Sequence, residues 1–535
     1  MFTSAFLKGE TWGFPGEAVE HIETHAAHVF LVSDRAFKVK KDVKLPYLDF
    51  SSLGKRRESL QAELEINRLF TPDLYLRVDE VLGEPVLVMR RFAGSALLAW
   101  IMSHGEIGPG LSGKLAVMAA RSHALASRRD VKGADIMSGL GAQLSRAFID
   151  SPDIFRPADT LEFHALYESA LGSRRHLLTE RGERGLVRRC HGDMHCGNII
   201  VEQGEPRLFD AIEFSEKIAT IDVLYDLAFL LMDLWSNGER GVANAVLNRY
   251  LDLRRAEEDL SGLAALPLFL ATRAGVRALV TADLAHELAL KNSMKERGQA
   301  LDWFRATIDY LKVPPPMLLC IGGLSGAGKS TAAAGIAPHF GAAPGAIHVR
   351  SDIERKILAG VAETDRLPPE SYTRQASFEV YAACLARAER ALAAGHSVVL
   401  DAVFAEGGER NAAVELARRS KAQFAGVWLE ASPEALSARI AARRDDASDA
   451  TADVVRKQLG YVLGNLDWLR VNAGGTPDET LKRLRGTVPF RFSAPSRSNR
   501  TRAVAARRPH ASGPCAATPR NARRCPRILR AAMRW

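Results

Sequence analysis

Cysteine is scarce. The six thiols in 535 residues, Cys190, Cys196, Cys320, Cys384, Cys515 and Cys525, never fall into C-x-x-C spacing. That pattern argues against a disulfide framework and a cysteine-based zinc site, and it fits a reducing compartment. Long apolar runs are lacking as well. No stretch reaches the length of a bilayer crossing without a charge, and the most apolar segment, Leu224 to Trp235, carries Asp226 and Asp233, so it reads as a buried helix. The opening MFTSAFLKGETWGF has no basic segment followed by an apolar one, so no secretory leader is expected. A cytoplasmic location with no membrane partner is the resulting expectation. Lysine and acid are missing from one region only. Residues Pro489 to Trp535 hold twelve Arg, no Lys and no Asp or Glu, which leaves 60 basic against 63 acidic residues elsewhere. The formal charge of +9 therefore belongs to the end of the chain.

What is present points to globular domains. With 47% hydrophobic and 25% charged residues, the chain can bury a core and is too long for one ordinary domain. The stretch Val313-Pro314-Pro315-Pro316 cannot continue a helix and precedes the apolar run Met317 to Ile321, which sets a boundary there. This divides the chain into three regions: 1–313, 314–485 and 486–535. In the first, Ala27 to Lys41 alternates as two strands around Ser33-Asp34-Arg35. A charged amphipathic helix is expected over Lys55 to Phe70, and a hairpin over Val78 to Arg91 broken at Gly83-Glu84-Pro85. Helical periodicity dominates from Leu111, interrupted by strand-like Ile199 to Val201 and Arg207 to Phe209, so this region is α+β. In the second, the runs Met317 to Ile321, Ala346 to Val349, Ser397 to Leu400 and Phe424 to Leu429 alternate with helical stretches. That is the pattern of an α/β parallel doubly wound sheet. The third, rich in Pro, Ser, Ala and Arg, buries too little apolar surface to offset its ordering entropy and is expected to be disordered. An Arg-only tail offers phosphate contacts to nucleic acid. A solvated extension or a translated out-of-frame segment is the preferred reading, because a selected basic arm normally mixes in Lys.

Gly323-Leu324-Ser325-Gly326-Ala327-Gly328-Lys329-Ser330 comes directly after an apolar strand and opens a helical run, with Thr331 next. Phosphate binding needs that order: backbone N–H groups free of side chains wrap the phosphates, and the helix N-terminus adds its positive dipole. Lys329 is expected to reach the β- and γ-phosphates and Ser330 to ligate Mg²⁺. The next strand ends in Val349-Arg350-Ser351-Asp352-Ile353-Glu354-Arg355, and ligands bind at the carboxyl ends of such strands. Asp352 reads either as a general base for an acceptor hydroxyl or as a helix N-cap, with Arg355 one turn on as an anion clamp. Asp401, ending Val398-Val399-Leu400, is a metal carboxylate or a cap. The basic run at Arg439, Arg443 and Arg444 before Asp445 reads as a lid with arginines near the phosphate, or as a salt-bridged surface helix. "GLSGAGKST", "RSDIERK" and "VVLDAVF" give residues 317–485 a resemblance to the P-loop small-molecule and polynucleotide kinases, the group of AAA-type ATP-binding kinase domains. The resemblance implies phosphoryl transfer to a small acceptor.

A second constellation lies upstream. In Cys190-His191-Gly192-Asp193-Met194-His195-Cys196-Gly197-Asn198 the residues Asp193 and Asn198 are five apart, and Asp210 comes after a short hairpin. A phosphotransferase needs a base for the acceptor hydroxyl and two oxygen ligands for Mg²⁺ beside the γ-phosphate. Singly, these residues read as turn and cap residues. Together they resemble the aminoglycoside phosphotransferase and protein-kinase-like superfamily, whose loop reads H-G-D-x-x-x-x-N, over residues 21–312. That resemblance implies Asp193 as base, Asn198 and Asp210 as Mg²⁺ ligands, and Asp226 as a carboxylate bracing the loop. It also implies a nucleotide lysine on Ala36-Phe37-Lys38-Val39-Lys40. Lys38 and Lys40 share a strand face. Lys38 is favoured, with Glu63 as its ion-pair partner. The first hairpin lacks a G-x-G-x-x-G cover for phosphates.

Both regions in one chain resemble the bacterial family known as bifunctional aminoglycoside phosphotransferase and ATP-binding proteins. The expected activity is ATP- and Mg²⁺-dependent transfer of phosphate to a hydroxyl of a small molecule. No acidic cluster that would grip a polycationic drug appears near Asp193. Two other readings stand beside it: a nucleotide-gated regulatory protein, and a polynucleotide 5′-hydroxyl kinase through the C-terminal region.

Overall fold

The computed structural model describes residues 4–24, 26–45, 48–105, 107–108, 110–288, 290–442 and 447–489. Arg443, Arg444 and Asp445 of the expected lid, and the tail beyond residue 489, lie outside them. Among the described residues the chain divides into two compact units, 4–139 with 178–239, and 140–177 with 240–489. This division differs from a cut at Pro314, because the helices from residue 240 cluster with the strands and helices on the far side of that proline.

In the first unit, strands β1 (Glu20–Glu23), β2 (Ala27–Val32) and β3 (Arg35–Lys40) precede helix α1 (Leu53–Arg68), then β4 (Tyr75–Val81) and β5 (Glu84–Arg90). The five strands form one antiparallel sheet in the order β1-β2-β3-β5-β4. Helix α1 starts at Ser52, whose hydroxyl accepts from the Lys55 N–H, and it buries Leu60, Glu63 and Leu64. Its apolar face joins Tyr75, Leu87, Met89, Ile200 and Phe209 in a core. Strand β6 (Val187–Arg189) leads into the H-G-D loop. Strands β7 (Ile199–Glu202) and β8 (Glu205–Leu208) form a hairpin, and β9 (Thr220–Asp222) returns beside β6. Helix α2 (Val223–Ser236) is buried from Val223 to Leu234, apolar all round except for Asp226 and Asp233.

In the second unit, helix Leu266–Glu287 packs along Leu290–Leu311, and Phe148, Phe155, Phe163 and Phe304 meet edge to face or tilted, with centroids 4.8 to 6.3 Å apart. The stretch Glu257–Glu287 is long and apolar enough to cross a membrane by length and composition, but 78% of its most apolar window is buried within the fold. Strand β10 (Met317–Gly322) is buried throughout and sits between β12 (Val398–Asp401) and β13 (Gln423–Glu430), with β11 (Ile347–Arg350) and β14 (Leu469–Asn472) outside them. Every pair is parallel, giving the order β11-β12-β10-β13-β14 and the doubly wound α/β architecture expected from the sequence. Carboxyl ends of β10, β11 and β12 thus fall side by side, at Gly322, Arg350 and Asp401.

Candidate active sites

The first unit gathers charge around one strand face. Lys38 Nζ lies 2.6 Å from Glu63 Oε1 and 2.8 Å from Asp210 Oδ1. Lys40, two residues on and on the same face, lies 2.8 Å from Glu63 Oε2 and also pairs with Glu213. The result is a row of alternating sign, Asp210, Lys38, Glu63, Lys40, Glu213, buried at its centre and half-buried at Lys38 and Asp210. Burial opposes the charge on Lys38, yet Asp210, Glu63 and Glu213 hold its pKa well above the ordinary lysine value. Burial likewise works against Glu63, and Lys38 and Lys40 overcome it, holding the carboxyl below its usual range. For Glu213 burial prevails over Lys40 and the pKa is raised. Of the two lysines, Lys38 is the one that touches Asp210.

The loop is braced from below by α2. Gly192 N–H donates to Asp226 Oδ1 at 3.0 Å, and Cys196 N–H to Asp233 Oδ2 at 3.0 Å. Gly192 holds φ at +86°, and a Cβ there would meet Ile212 Cδ1 at 3.0 Å, so glycine suits this position. His191 is fully buried between Phe209 O, at 3.0 Å, and the Asp193 N–H, and burial lowers its pKa. It is therefore a scaffold imidazole. Asn198 Nδ2 donates to Asp193 Oδ2 at 2.8 Å, while Asn198 Oδ1 is buried and accepts no hydrogen bond among the described residues. An orphaned buried acceptor is costly unless something else binds it. Asp210 sits in the left-handed region, φ +60°, with its N–H on the Tyr75 hydroxyl at 2.8 Å. That turn presents its carboxylate to Lys38. Asn198 and Asp210 thus offer hard oxygens of the kind a magnesium ion takes, and Asp193 lies beside them. A cavity of about 280 Å³ borders this group, lined by Lys38 and Asp210 and by apolar Ile22, Val29, Met89 and Phe209. An apolar slot ending in a lysine and a carboxylate suits a flat ring carrying phosphates.

The second unit builds the other site on β10. Gly323, Gly326 and Gly328 hold φ at +142°, +86° and +88°. A Cβ on Gly326 would lie 2.6 Å from Leu436 O and one on Gly323 2.8 Å from Leu429 O, so the loop can wrap only as glycine. Helix α4 (Lys329–Ile336) begins at the loop's end. Lys329 Nζ folds back toward Leu324 O at 3.2 Å, the Ser325 N–H donates to Gln458 Oε1 at 2.7 Å, and Ala327 is buried. Ser330 Oγ donates to Asp401 Oδ1 at 3.3 Å, and Thr331 is exposed one residue on. Asp401 is 2% exposed and pairs with His348 Nε2 at 2.6 Å. Burial raises the carboxyl pKa, but His348, Arg350 and Lys329 more than offset it and keep Asp401 ionised. A serine hydroxyl beside an ionised buried carboxylate is a donor set that fits a divalent cation. Asp401 therefore caps no helix.

Asp352 stands in the first turn of helix α5 (Ser351–Leu358), whose N-cap is Arg350, and it makes no hydrogen bond or ion pair among the described residues. The cap reading is replaced by a carboxylate at the strand end with no protein partner there. Arg355 is already engaged: it donates to Ser371 O at 2.6 Å and lies 4.8 Å over the Tyr372 ring. Arg439 holds the carbonyls of Ala473, at 2.6 Å, and Gly475, at 2.8 Å, and reaches the loop at Gly326 O, 3.4 Å. Sequence reasoning missed Glu213, His348 and Asp449. The last accepts from Lys356 at 2.7 Å, the Leu367 N–H at 3.1 Å and the Tyr372 hydroxyl, tying the segment after α5 in place.

Residues 33–265 match the model of the phosphotransferase enzyme family, and residues 318–463 match that of an AAA domain. Proteins of Mycobacterium tuberculosis and Mycobacterium bovis, described only as uncharacterized, are 29% identical over 451 residues, which span 81% of this chain and 88% of theirs. A choline/ethanolamine kinase family protein from Mesorhizobium loti is 17% identical, covering 55% of this chain and 92% of its own, with a TM-score of 0.36. An aminoglycoside 2′-phosphotransferase-IIIa in complex with GDP is 16% identical over 54% of this chain and 92% of its own, TM-score 0.35. A gluconokinase from Sinorhizobium meliloti is 21% identical over 31% of this chain and 89% of its own, TM-score 0.24.

Proposed function

We propose that this chain, a phosphotransferase with two kinase-type domains, binds ATP in both and transfers the γ-phosphate to a hydroxyl of a small molecule. The observation that carries it is the pairing of Lys38 with both Glu63 and Asp210 beside Asp193 and the unsatisfied Asn198 oxygen. In the first unit Lys38 binds nucleotide phosphate, Glu63 holds Lys38 extended, and Asp193 accepts the proton of the attacking hydroxyl. Asn198 and Asp210 would hold Mg²⁺ there, and Ser330 and Asp401 in the second unit. When bound, the ion neutralises charge on the phosphates. In the second unit the backbone of residues 323–328 cradles phosphate, Lys329 swings from Leu324 O onto it, and Asp352 receives the acceptor proton.

The test is transfer from γ-labelled ATP into a pool of small hydroxyl metabolites, with wild type, Lys329→Ala and Asp193→Ala compared and products resolved by mass. A labelled product that vanishes with one substitution supports the reading and names the working domain. ATP binding with no labelled product in any pool would move the protein to a nucleotide-gated regulatory role.

A further inference from the structure

Asp401 does not hold its own orientation. It ends a strand, it is buried, and its two oxygens are met by two different side chains: Ser330 on Oδ1 at 3.3 Å and His348 on Oδ2 at 2.6 Å. His348 comes from the neighbouring strand β11 and is itself fixed from outside the sheet. Its backbone N–H donates to Asn248 Oδ1 at 2.7 Å, and the Asn248 amide donates to Ala346 O at 3.2 Å. Asn248 lies on helix α3 (Arg240–Arg254), upstream of the P-loop sequence and within the segment that matches the phosphotransferase family. The same helix is tied further along by Asn244, whose amide reaches Pro344 O at 3.1 Å and Ala346 O at 2.9 Å. Asp252 meets Arg387 at 2.9 Å, and Arg255, just beyond the helix, meets Glu354 at 2.7 Å. These groups are largely buried, so breaking one leaves an uncompensated partner.

We propose that His348 is a positioning residue of the P-loop site. It fixes the Asp401 carboxylate beside Ser330 for a divalent cation, and Asn248 of helix α3 fixes His348. A hydrogen bond to a ligating carboxylate aims the free lone pairs and holds the anion in place, and losing such an outer partner typically costs about 10- to 100-fold in metal affinity or activity. The proposal rests on the functional reading in which Ser330 and Asp401 hold Mg²⁺. It also makes the P-loop unit depend on a helix that ends about sixty residues before Pro314, so that a fragment starting at Pro314 lacks part of its own site.

The experiment uses the full chain carrying Lys38→Ala, which silences the first nucleotide site, and titrates it with a fluorescent ATP analogue in Mg²⁺ and in EDTA. The readout is the gain in affinity that Mg²⁺ confers. His348→Phe is expected to cut that gain about tenfold while leaving the affinity in EDTA unchanged, which also shows that the variant folds. His348→Gln keeps an N–H near the imidazole Nε2 and is expected to restore the gain. Asn248→Ala is expected to lower it in the same direction. A full Mg²⁺ gain in His348→Phe, an equal loss in EDTA, or failure of His348→Gln to restore would each overturn the positioning role. An unchanged gain in Asn248→Ala would overturn the part played by helix α3. If the parent chain shows no Mg²⁺-dependent binding at all, the functional reading falls first and this proposal with it.

Discussion

The ammonium of Lys38 lies 2.8 Å from the carboxylate of Asp210, a residue 172 positions further along the chain. Glu63 holds the same ammonium from the other side at 2.6 Å. A strand, a helix and a loop after a distant hairpin therefore meet at one charge, and the roles of the residues around it can be separated by substitution.

Lys38→Ala and Lys40→Ala are expected to differ in kind. Lys38→Ala should lower transfer through the first unit about 100-fold, the scale for losing one preorganised charge at a reacting phosphate. Lys40→Ala leaves Glu213 and half of Glu63 unpaired in a buried place, so its main effect should be a loss of about 3 kcal/mol of stability. Steady-state kinetics and thermal unfolding of both variants distinguish the two.

Asp193→Asn keeps the shape of the loop and removes the base. The turnover of the first unit is expected to fall about 10²- to 10⁴-fold with little change in unfolding temperature. A nucleotide KM close to wild type in the same variant checks that the site remains assembled.

Gly326→Ala puts a methyl group 2.6 Å from Leu436 O at a left-handed φ. The loop cannot absorb that clash without moving, so nucleotide binding at the second site should be lost and stability should drop by about 1 to 3 kcal/mol. Differential scanning fluorimetry with and without ATP, in a chain that also carries Lys38→Ala, reads both effects.

Acid should destabilise the fold well above the carboxylate range. Burial depresses His396 to about 4, and His28 and His339 are likewise pushed to about 4, chiefly by burial. Their unfolded forms take up protons near the ordinary 6.5, so between pH 6.5 and 4 the unfolded chain binds more protons than the folded one. The stabilisation is thus complete above pH 6.5 and is lost as pH falls toward 4. Among the described residues His396 has no hydrogen bond on either ring nitrogen. His396→Leu should be near neutral in stability at about pH 8 and flatten the pH dependence of the unfolding temperature between pH 6.5 and 4.

The motifs were legible because each packs its chemistry into one short segment. A strand, three glycines, Lys329 and Ser330 specify a phosphate loop with little outside help, and Asp193 and Asn198 sit on one loop, with Asp210 just after the short hairpin that follows it. The central strands were legible for a similar reason: Met317 to Ile321 is apolar on both faces, which only a buried parallel strand tolerates. Two of the edge strands were not. Glu20–Glu23 buries only Ile22 and Leu469–Asn472 only Val471, so neither carries an alternating pattern long enough to read. Glu213, His348 and Asp449 stayed hidden because their partners lie far off in sequence and meet them only through tertiary folding. Helix α3 looked like part of the first region for the same reason, since the ties of Asn248 and Asp252 span about a hundred residues or more.

The most direct test of two nucleotide sites in one chain is calorimetric titration with a non-hydrolysable ATP analogue in Mg²⁺. The account predicts two sites per chain, with Lys38→Ala removing one, Lys329→Ala removing the other and the double variant binding none. A single site in the wild-type chain, or two sites surviving either substitution, would contradict it.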